Sequence, residues 1–577
     1  MEILDASQIS VIDVPHHERQ VVVAAPGSGK TFTAGKLIGK IDSQLAFPEE
    51  YDVIYISFSN AAVNALIEGN ESELDGLKLM VDPGTLDSFA NALVLENGLD
   101  FDHSDNFFEE RVKAAIDIVK NGDTSYFEDT VHVIIDEAQD IYGLRKELAL
   151  ELIKFLPREC GVTVIGDPMQ SIYSFLGEIS EKNGPSHPSD GSLLLDLIRR
   201  KDITPKQLTG QYRATSARMK RIHQGLRSID YSTPQETQVS QVEHALNEAT
   251  VIGEQNLGYW SHKWGSDTAI LTRNNAEVIL LCGALADHDV IVSPLFPPEQ
   301  RSRFPSWFSA WADQVGSRPF APTSLHDFLM ERAPEDLREA QSTGYDFSIP
   351  WEESTLRDLA DAFTKKRGHS AHSKNQQRPV ISTIHQSKGR QFETVVLVNA
   401  FELIREDPFY GVETELAYVG ITRARKKIQL LDFNFPRTRT FQSPHHRSII
   451  HNYARSAPQA IEVRPSDIDR ETFYGESAGQ AALEKLAPAS KLELSLVHPD
   501  SPVPRYRIQV NGVTVGLTNA SFGESVARLT RTKQGSWPTL GPVMHDGTET
   551  VFGNENGQRR PCWLIPRAFG FSNISFS

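Results

Sequence analysis

Apolar residues gather along this chain in short blocks that end abruptly in glycine turns or paired acids. The block Val21 to Ala24 is too short for a buried helix and predicts a buried strand. "PGSGKT" follows as a turn into a helix that continues through "FTAGKLIGK". A second apolar strand is predicted in "VHVIIDEAQD", Val131 to Asp140, and ends in adjacent acids. Between them "FFEERVKAAIDIVK" has the spacing of an amphipathic helix. Further on, "TSLHDFLMERAPEDLREAQ" and "ESTLRDLADAFTKKRG" are also helical in pattern. From about Pro458 to Lys485 the pattern predicts a linker and then a short helix. At Lys491 the period changes to two: "KLELSLV", "YRIQVNGVTVGLT", "ETVFG" and "CWLIP" predict strands, with Asn511-Gly512 as a tight hairpin turn. Residues 491–577 are therefore expected to form a small β-rich domain, barrel-like, with a helix near "FGESVARL".

At 577 residues the chain exceeds the ~250 to 300 residues that one core can serve, so a multidomain enzyme is expected. No apolar run approaches the ~18 residues of a membrane span, and "MEILDASQISVIDVPHHERQ" places acids where a secretory leader has bases. No membrane association and a cytoplasmic setting are expected. Cys160, Cys282 and Cys562 are far apart and form no metal or disulfide pattern. The formal net charge of -18 argues against coating nucleic acid by bulk attraction, while leaving room for a local basic groove.

The turn after the first strand carries the first chemistry. Amides around Gly27, Ser28 and Gly29 are expected to face phosphate oxygens at a helix N-terminus, with Lys30 on the β- and γ-phosphates and the Thr31 hydroxyl on Mg2+. Ala24 stands where the strict phosphate-loop pattern has its first glycine. Asp136 is expected to hold Mg2+ through water, and Glu137 to orient or deprotonate the attacking water. ATP and Mg2+ are the expected cofactors. These residues alone leave a kinase or GTPase open.

The wording of the second element narrows the class. "DEAQD", followed by "VTVIGDPMQSIYSFLG", resembles the UvrD/Rep-like superfamily 1 DNA helicases, and the resemblance extends through "DASQISVID", "YISFSNAAV", "GTLDSFA", "LTGQYRAT", "TAILTRNNAEVI", "ISTIHQSKGRQFETVVLV" and "LAYVGITRARKKIQLL". It implies an α/β chain with two tandem RecA-like P-loop NTPase domains, short helical inserts and the small C-terminal β-rich domain. Residues 1–90 and 131–207 would form the first RecA-like domain and 208–285 with 379–436 the second. Inserts would occupy 91–130 and 286–378, and a linker and helix 437–490.

The resemblance also assigns roles. Gln8 would read the adenine edge and Tyr212 stack on the base; Gln170 would sense the γ-phosphate; Arg213 and Arg423, from the second domain, would stabilise its developing charge, a contribution worth ~10^3 to 10^5 in rate. Phe58 and Asn60, with Tyr173 and Phe175, would contact single-stranded DNA, each stacked base contributing ~1 to 3 kcal/mol, and His385 would touch its backbone. Phe175 stands for the family's tryptophan, Leu176 for an arginine, Phe32 for an arginine, and Gln391 for the glutamate near the ribose.

The expected function is an ATP-dependent helicase or translocase moving 3′ to 5′ on single-stranded DNA and at duplex junctions, in repair, recombination or defence. An ATP-gated DNA-binding subunit with little unwinding of its own is the alternative. The β-rich domain is expected to dock a protein partner; Arg528, Arg531, Lys533 and Trp537 are either a contact surface or a solvated face around a core tryptophan. "KKRGHSAHSKNQQR" has five positive residues and no acid and is expected to be a solvated linker; His445, His446 and His451 lack the partners of a metal site.

Overall fold

The computed structural model describes residues 4–99, 107–172, 191–200, 205–229, 233–296, 304, 306–315, 324–332, 378–406, 413–441, 447–451, 458–471, 477–552 and 562–576. Six strands, β1 (Arg19–Ala24), β2 (Asp52–Ser57), β3 (Met80–Thr85), β4 (Thr130–Asp136), β5 (Gly161–Gly166) and β6 (Lys206–Leu208), make one sheet in the order β3-β2-β4-β5-β1-β6. All of its pairings are parallel. A parallel sheet is covered on both faces, which is why its strands read as apolar blocks instead of alternating ones. The strand period still divides them. Val21, Ile54, Ile56, Val133, Ile135 and Val164 enter one core, while Val22, Val53, Tyr55, Ile134 and Ile165 enter the other. The helix Phe107–Asn121 covers the first face with Val112, Ala115, Ile116 and Val119, as its spacing predicts.

A second six-stranded sheet holds β7 (Thr250–Gly253), β8 (Thr268–Thr272), β9 (Ser293–Pro294), β10 (Val380–Thr383), β11 (Phe392–Val398) and β12 (Ala424–Asp432), in the order β7-β12-β11-β8-β10-β9. The chain resolves into two compact units. One comprises Met1–Thr250, Ser387–Val395 and Asn399–Leu430, the other Val251–Gln386, Val396–Val398 and Leu431–Ser577.

The second unit carries the β-rich sheet. Its strands are β13 (Thr438–Phe441), β14 (Arg447–Ile450), β15 (Ala460–Val463), β16 (Lys491–Leu496), β17 (Tyr506–Val510), β18 (Val513–Leu517), β19 (Thr539–Leu540), β20 (Val543–Phe552) and β21 (Cys562–Ser575). They follow the order β13-β14-β15-β21-β20-β16-β17-β18, with β19 paired to β21, and among the described residues this path does not close into a barrel. Asn511 and Gly512 have φ of 49° and 77°, the double left-handed turn expected between β17 and β18. The helix after them is Ala520–Thr530, capped by the Asn519 side chain.

The stretch 437–490 departs from the expected linker and helix. The helix is present as Ser477–Glu484, but β13, β14 and β15 precede it and extend the sheet. These strands are four residues long, and β14 puts a charged side chain indoors: buried Arg447 donates to both oxygens of buried Asp467, at 2.7 and 2.6 Å. Such strands exist only because β15 pairs with the distant β21, so no local periodicity announces them.

The β-rich sheet is not a separate module either. Phe569 of β21 lies in one core cluster with Ile270, Ile381, Val396 and Val398, whose strands belong to the second parallel sheet. The helix Trp307–Val315 joins the same body: Phe308 and Trp311 are fully buried, and the Ser309 N–H donates to Thr550 Oγ1 at 3.2 Å. Trp537 is a core residue whose Nε1 donates to the Ser501 carbonyl, while Arg528, Arg531 and Lys533 stand exposed. The helix Ser324–Arg332 agrees with its pattern; "ESTLRDLADAFTKKRG", His445, His446 and nearly all of "KKRGHSAHSKNQQR" lie outside the described residues. Among the described residues no helix is long and apolar enough to cross a membrane.

Phe569→Ala is expected to destabilise the second unit by ~3 to 5 kcal/mol, as buried phenylalanine truncations do. Because the core is shared, tryptophan fluorescence and circular dichroism should report one coincident denaturant transition; a separate early transition of the β-rich sheet alone would contradict the shared core.

Candidate active site

Ligands of open parallel sheets bind beyond the carboxyl ends of the strands. In the first unit, β1, β4 and β5 end side by side at Ala24, Asp136 and Gly166, and the phosphate-loop turn, the paired acids and the turn Asp167–Gln170 leave from that edge. Gly27 and Gly29 have φ of 75° and 81°, and the helix Lys30–Gln44 starts at once. Glycine is required twice over. A Cβ on Gly27 would lie 2.5 Å from Arg213 Cβ, and one on Gly29 would lie 2.7 Å from Gln8 Nε2 and 3.4 Å from the Tyr212 ring.

Lys30 reaches back to the acids, with its Nζ 2.6 Å from Glu137 Oε1 and 3.4 Å from Asp136 Oδ1. Burial disfavours the ammonium, but Asp136, Glu137 and Asp167 outweigh it and raise its pKa. Burial likewise raises Asp136, against the pull of Lys30. For Glu137 the order reverses: Lys30 and Lys388 overcome burial and hold it below the ordinary glutamate value. The Tyr55 hydroxyl donates to Asp136 Oδ2 at 2.6 Å and the Glu137 N–H to Asp136 Oδ1 at 2.7 Å, so the carboxylate is fixed in orientation. Asp136 and the Thr31 hydroxyl are hard oxygen donors of the kind Mg2+ takes beside substrate phosphates; an all-protein cage is not needed for it.

The basic side converges on the same loop. Arg423 is buried and donates from Nη2 to Gln170 Oε1 at 2.9 Å, while Gln170 Nε2 donates to Asp167 Oδ2 at 2.9 Å. Tyr418 holds Asp167 from the other side at 3.1 Å. Arg213 donates from Nη1 to the Thr422 carbonyl at 2.9 Å, and its buried Nε has no hydrogen-bond partner among the described residues. Burial and then the neighbouring Arg423 push the Arg213 pKa down to about 9, so it stays charged at neutral pH under electrostatic stress. Among the described residues neither guanidinium has a carboxylate within ion-pair distance.

Asp5 caps the helix Ala6–Ile12, and Tyr212 donates to Asp5 Oδ2 at 2.7 Å and Gln8 Oε1 at 3.2 Å. Gln8 Nε2 is left facing Gly29, and the Tyr212 ring is half exposed beside it. Phe58 and Asn60 follow β2 at the same sheet edge, Asn60 exposed. Gln391 is exposed and makes no hydrogen bond among the described residues. His385, in the second unit, opens the turn His385–Ser387, and Tyr173 and Phe175 fall outside the described residues.

The sequence reading passed over Lys388 and Asp140, although both sit inside quoted motifs. Lys388 Nζ donates to both oxygens of Asp140, at 2.7 and 2.6 Å, and to the Gln170 carbonyl at 2.7 Å. Only the fold shows that "HQSKGR" and "DEAQD" meet.

Two family models match the chain: an AAA domain over residues 8–176 and a UvrD-like helicase C-terminal domain over residues 331–433. No curated protein matches it. Among solved structures it is similar to a Pif1 helicase from Candida albicans at 14% identity and a TM-score of 0.34, covering 75% of this chain and 96% of that one. A structure of two coordinating Pif1 helicases at forked double-stranded DNA is similar at 13% identity and 0.34, covering 74% and 92%.

Burial raises the Asp140 carboxyl to about 6, against the opposing pull of Lys388. An acid raised in the folded state binds its proton more tightly there than in the unfolded chain, so stability falls as pH rises from its unfolded value toward 6 and levels above. Lys388→Met removes the partner and raises the carboxyl further. The variant is expected to lose ~3 to 5 kcal/mol at pH 8, as a broken buried pair does, and clearly less at pH 5, where Asp140 is protonated. Thermal unfolding at the two pH values checks this; equal losses would contradict the pairing.

Proposed function

Because this chain belongs to the UvrD-like superfamily 1 helicases, by its AAA domain, its UvrD-like C-terminal domain and its ordered motifs, we propose that it is an ATP-driven motor that moves 3′ to 5′ along single-stranded DNA and separates strands at duplex junctions. As a member of the family it is a DNA-dependent ATPase and helicase; direction, junction preference and a role in repair, recombination or defence belong to the proposal. A cytoplasmic setting is part of the proposal.

The observation that carries the reading is the pair of half-buried Arg213, against Gly27 of the phosphate loop, and buried Arg423, on Gln170, with no carboxylate partner within ion-pair distance among the described residues. Buried charges are ordinarily paired, and an unpaired pair of guanidinium groups beside a phosphate cradle calls for a polyanion. ATP would draw Lys30 from Glu137 to the β- and γ-phosphates and leave Glu137 free to orient water. Gln170 and the two arginines would meet the γ-phosphate, Tyr212 and Gln8 the adenine, and Gln391 the ribose edge. Mg2+, held by Asp136 and Thr31, would neutralise phosphate charge. Phe58, Asn60, Tyr173, Phe175 and His385 are the proposed contacts to the strand, and the β-rich sheet is the proposed dock for a protein partner.

Steady-state hydrolysis is expected to rise on adding single-stranded DNA. Arg423→Ala should cost ~10^3-fold or more in kcat, and Lys30→Ala should abolish hydrolysis. Displacement of tailed duplexes should require a 3′ tail. Hydrolysis indifferent to DNA would refute the motor, and displacement from 5′ tails alone would refute the direction.

A further inference from the structure

The helix Ala217–Arg227 follows the turn that carries Arg213, and it presents two side chains to that turn. His223 and Arg227 are four residues apart and so share one face. Arg227 donates to the Thr209 carbonyl at 2.9 Å and to the Pro26 carbonyl at 3.2 Å, touching the start of the arginine turn and the start of the phosphate loop at once. The Tyr212 N–H adds a third tie, to the Gly27 carbonyl at 2.8 Å.

His223 is 2% exposed and belongs to no motif singled out in the sequence. Its Nδ1 lies 2.9 Å from Gln211 Nε2. The other end of that amide is already committed, because Gln211 Oε1 accepts from the backbone N–H groups of Arg213 at 3.0 Å and Ala214 at 3.4 Å. The amide therefore cannot turn over: its nitrogen must donate, and His223 Nδ1 must accept. An imidazolium has no acceptor, so the arrangement requires the neutral ring. The surroundings enforce it, since burial and then Arg213, Arg227 and Arg423 push the His223 pKa down to about 3. Gln211 Oε1 also borders the phosphate loop, only 2.7 Å from where a Cβ on Gly27 would stand.

We propose that the Gln211–His223 pair is a positioning device for Arg213: His223 locks the Gln211 amide, the amide fixes the backbone at Arg213, and that sets how the guanidinium meets the γ-phosphate. The proposal rests on the ATPase reading above. His223 touches no substrate; it acts through Gln211 and Arg213. Losing it should slow the chemical step and leave nucleotide binding nearly intact, because Lys30 and the loop amides are untouched.

The test uses the full chain and reads kcat and KM for ATP in DNA-stimulated hydrolysis, with thermal unfolding alongside. His223→Phe keeps a ring and removes the acceptor; His223→Gln keeps an acceptor within reach. His223→Phe is expected to lower kcat by ~10- to 100-fold, the range for a displaced catalytic group, with KM changed less than about threefold. His223→Gln should recover most of the loss. On an Arg213→Ala background His223→Phe should cost nothing more, because the two act in series. Unchanged kcat in His223→Phe, no recovery in His223→Gln, or losses that multiply on the Arg213→Ala background would each overturn the proposal. Should His223→Phe fail to fold, Gln211→Met removes the same link and must show the same split. A parent protein without DNA-stimulated hydrolysis takes down the motor reading and this inference together; an active parent with an indifferent His223 takes down this inference alone.

Discussion

Two guanidinium groups, Arg423 buried and Arg213 half-buried, with no carboxylate in ion-pair distance among the described residues, set the terms for the rest of the first unit. Removing a cation from water costs several kcal/mol even after relaxation. Among the described residues their direct partners are neutral acceptors: the Thr422 carbonyl for Arg213, and the Val419 and Arg390 carbonyls, the Thr422 hydroxyl and the Gln170 amide for Arg423, with Glu137 favouring both cations from a distance. The acids of the site are differently placed. Asp136 and Glu137 already have Lys30, and Asp140 has Lys388. The resting site is thus compensated on its acidic side and uncompensated on its basic side. A polyanion entering it relieves the arginines and gives Lys30 a second partner.

Such a site works only if its groups cannot relax toward one another, and the parallel sheet supplies that stiffness. Three strand ends fix the starting points of three loops, and the backbone is held in uncommon conformations where the loops leave. Gly27 and Gly29 adopt positive φ freely, but Glu137 does so at 53° with a full side chain. A non-glycine residue there carries a cost of about 1 to 3 kcal/mol, which persists only where the surroundings over-determine it. They do: its N–H is held by Asp136 and its carboxylate by Lys30 and Gln139.

What could be read from the chain divides along physical lines. The phosphate loop and the paired acids were plain because their chemistry is local: a few residues in sequence make each turn, and an apolar block before them makes each strand. Arg213, Gln170 and Arg423 were reached only through the resemblance, since nothing around an isolated arginine tells which side chain it will face. Lys388, Asp140, Gln211 and His223 were missed, though three of them lie inside quoted motifs, because their partners are up to hundreds of residues away. Strands β13 to β15 were missed for a related reason. They are too short to show a period, and Arg447 sits indoors only because Asp467 meets it. The boundary drawn at Lys491 placed Phe569 in a small domain, whereas its ring belongs to the core of the second parallel sheet.

Gln170 shows why the uncompensated state is preserved. Its amide has a donor end and an acceptor end, and Asp167 claims the donor, so the oxygen is turned to Arg423. A glutamate of the same length would give Arg423 a full charge to pair with, and the site would lose its demand for phosphate. An alkyl side chain would leave both the guanidinium and Asp167 short of a partner inside the protein. Only a neutral group with both functions satisfies the geometry while leaving the charge unbalanced. Because Lys388 holds the backbone carbonyl of the same residue, a shift at either the arginine or the lysine must pass through Gln170. The residue thereby links Arg423 to the Asp140–Lys388 pair, through its side chain on one side and its backbone carbonyl on the other.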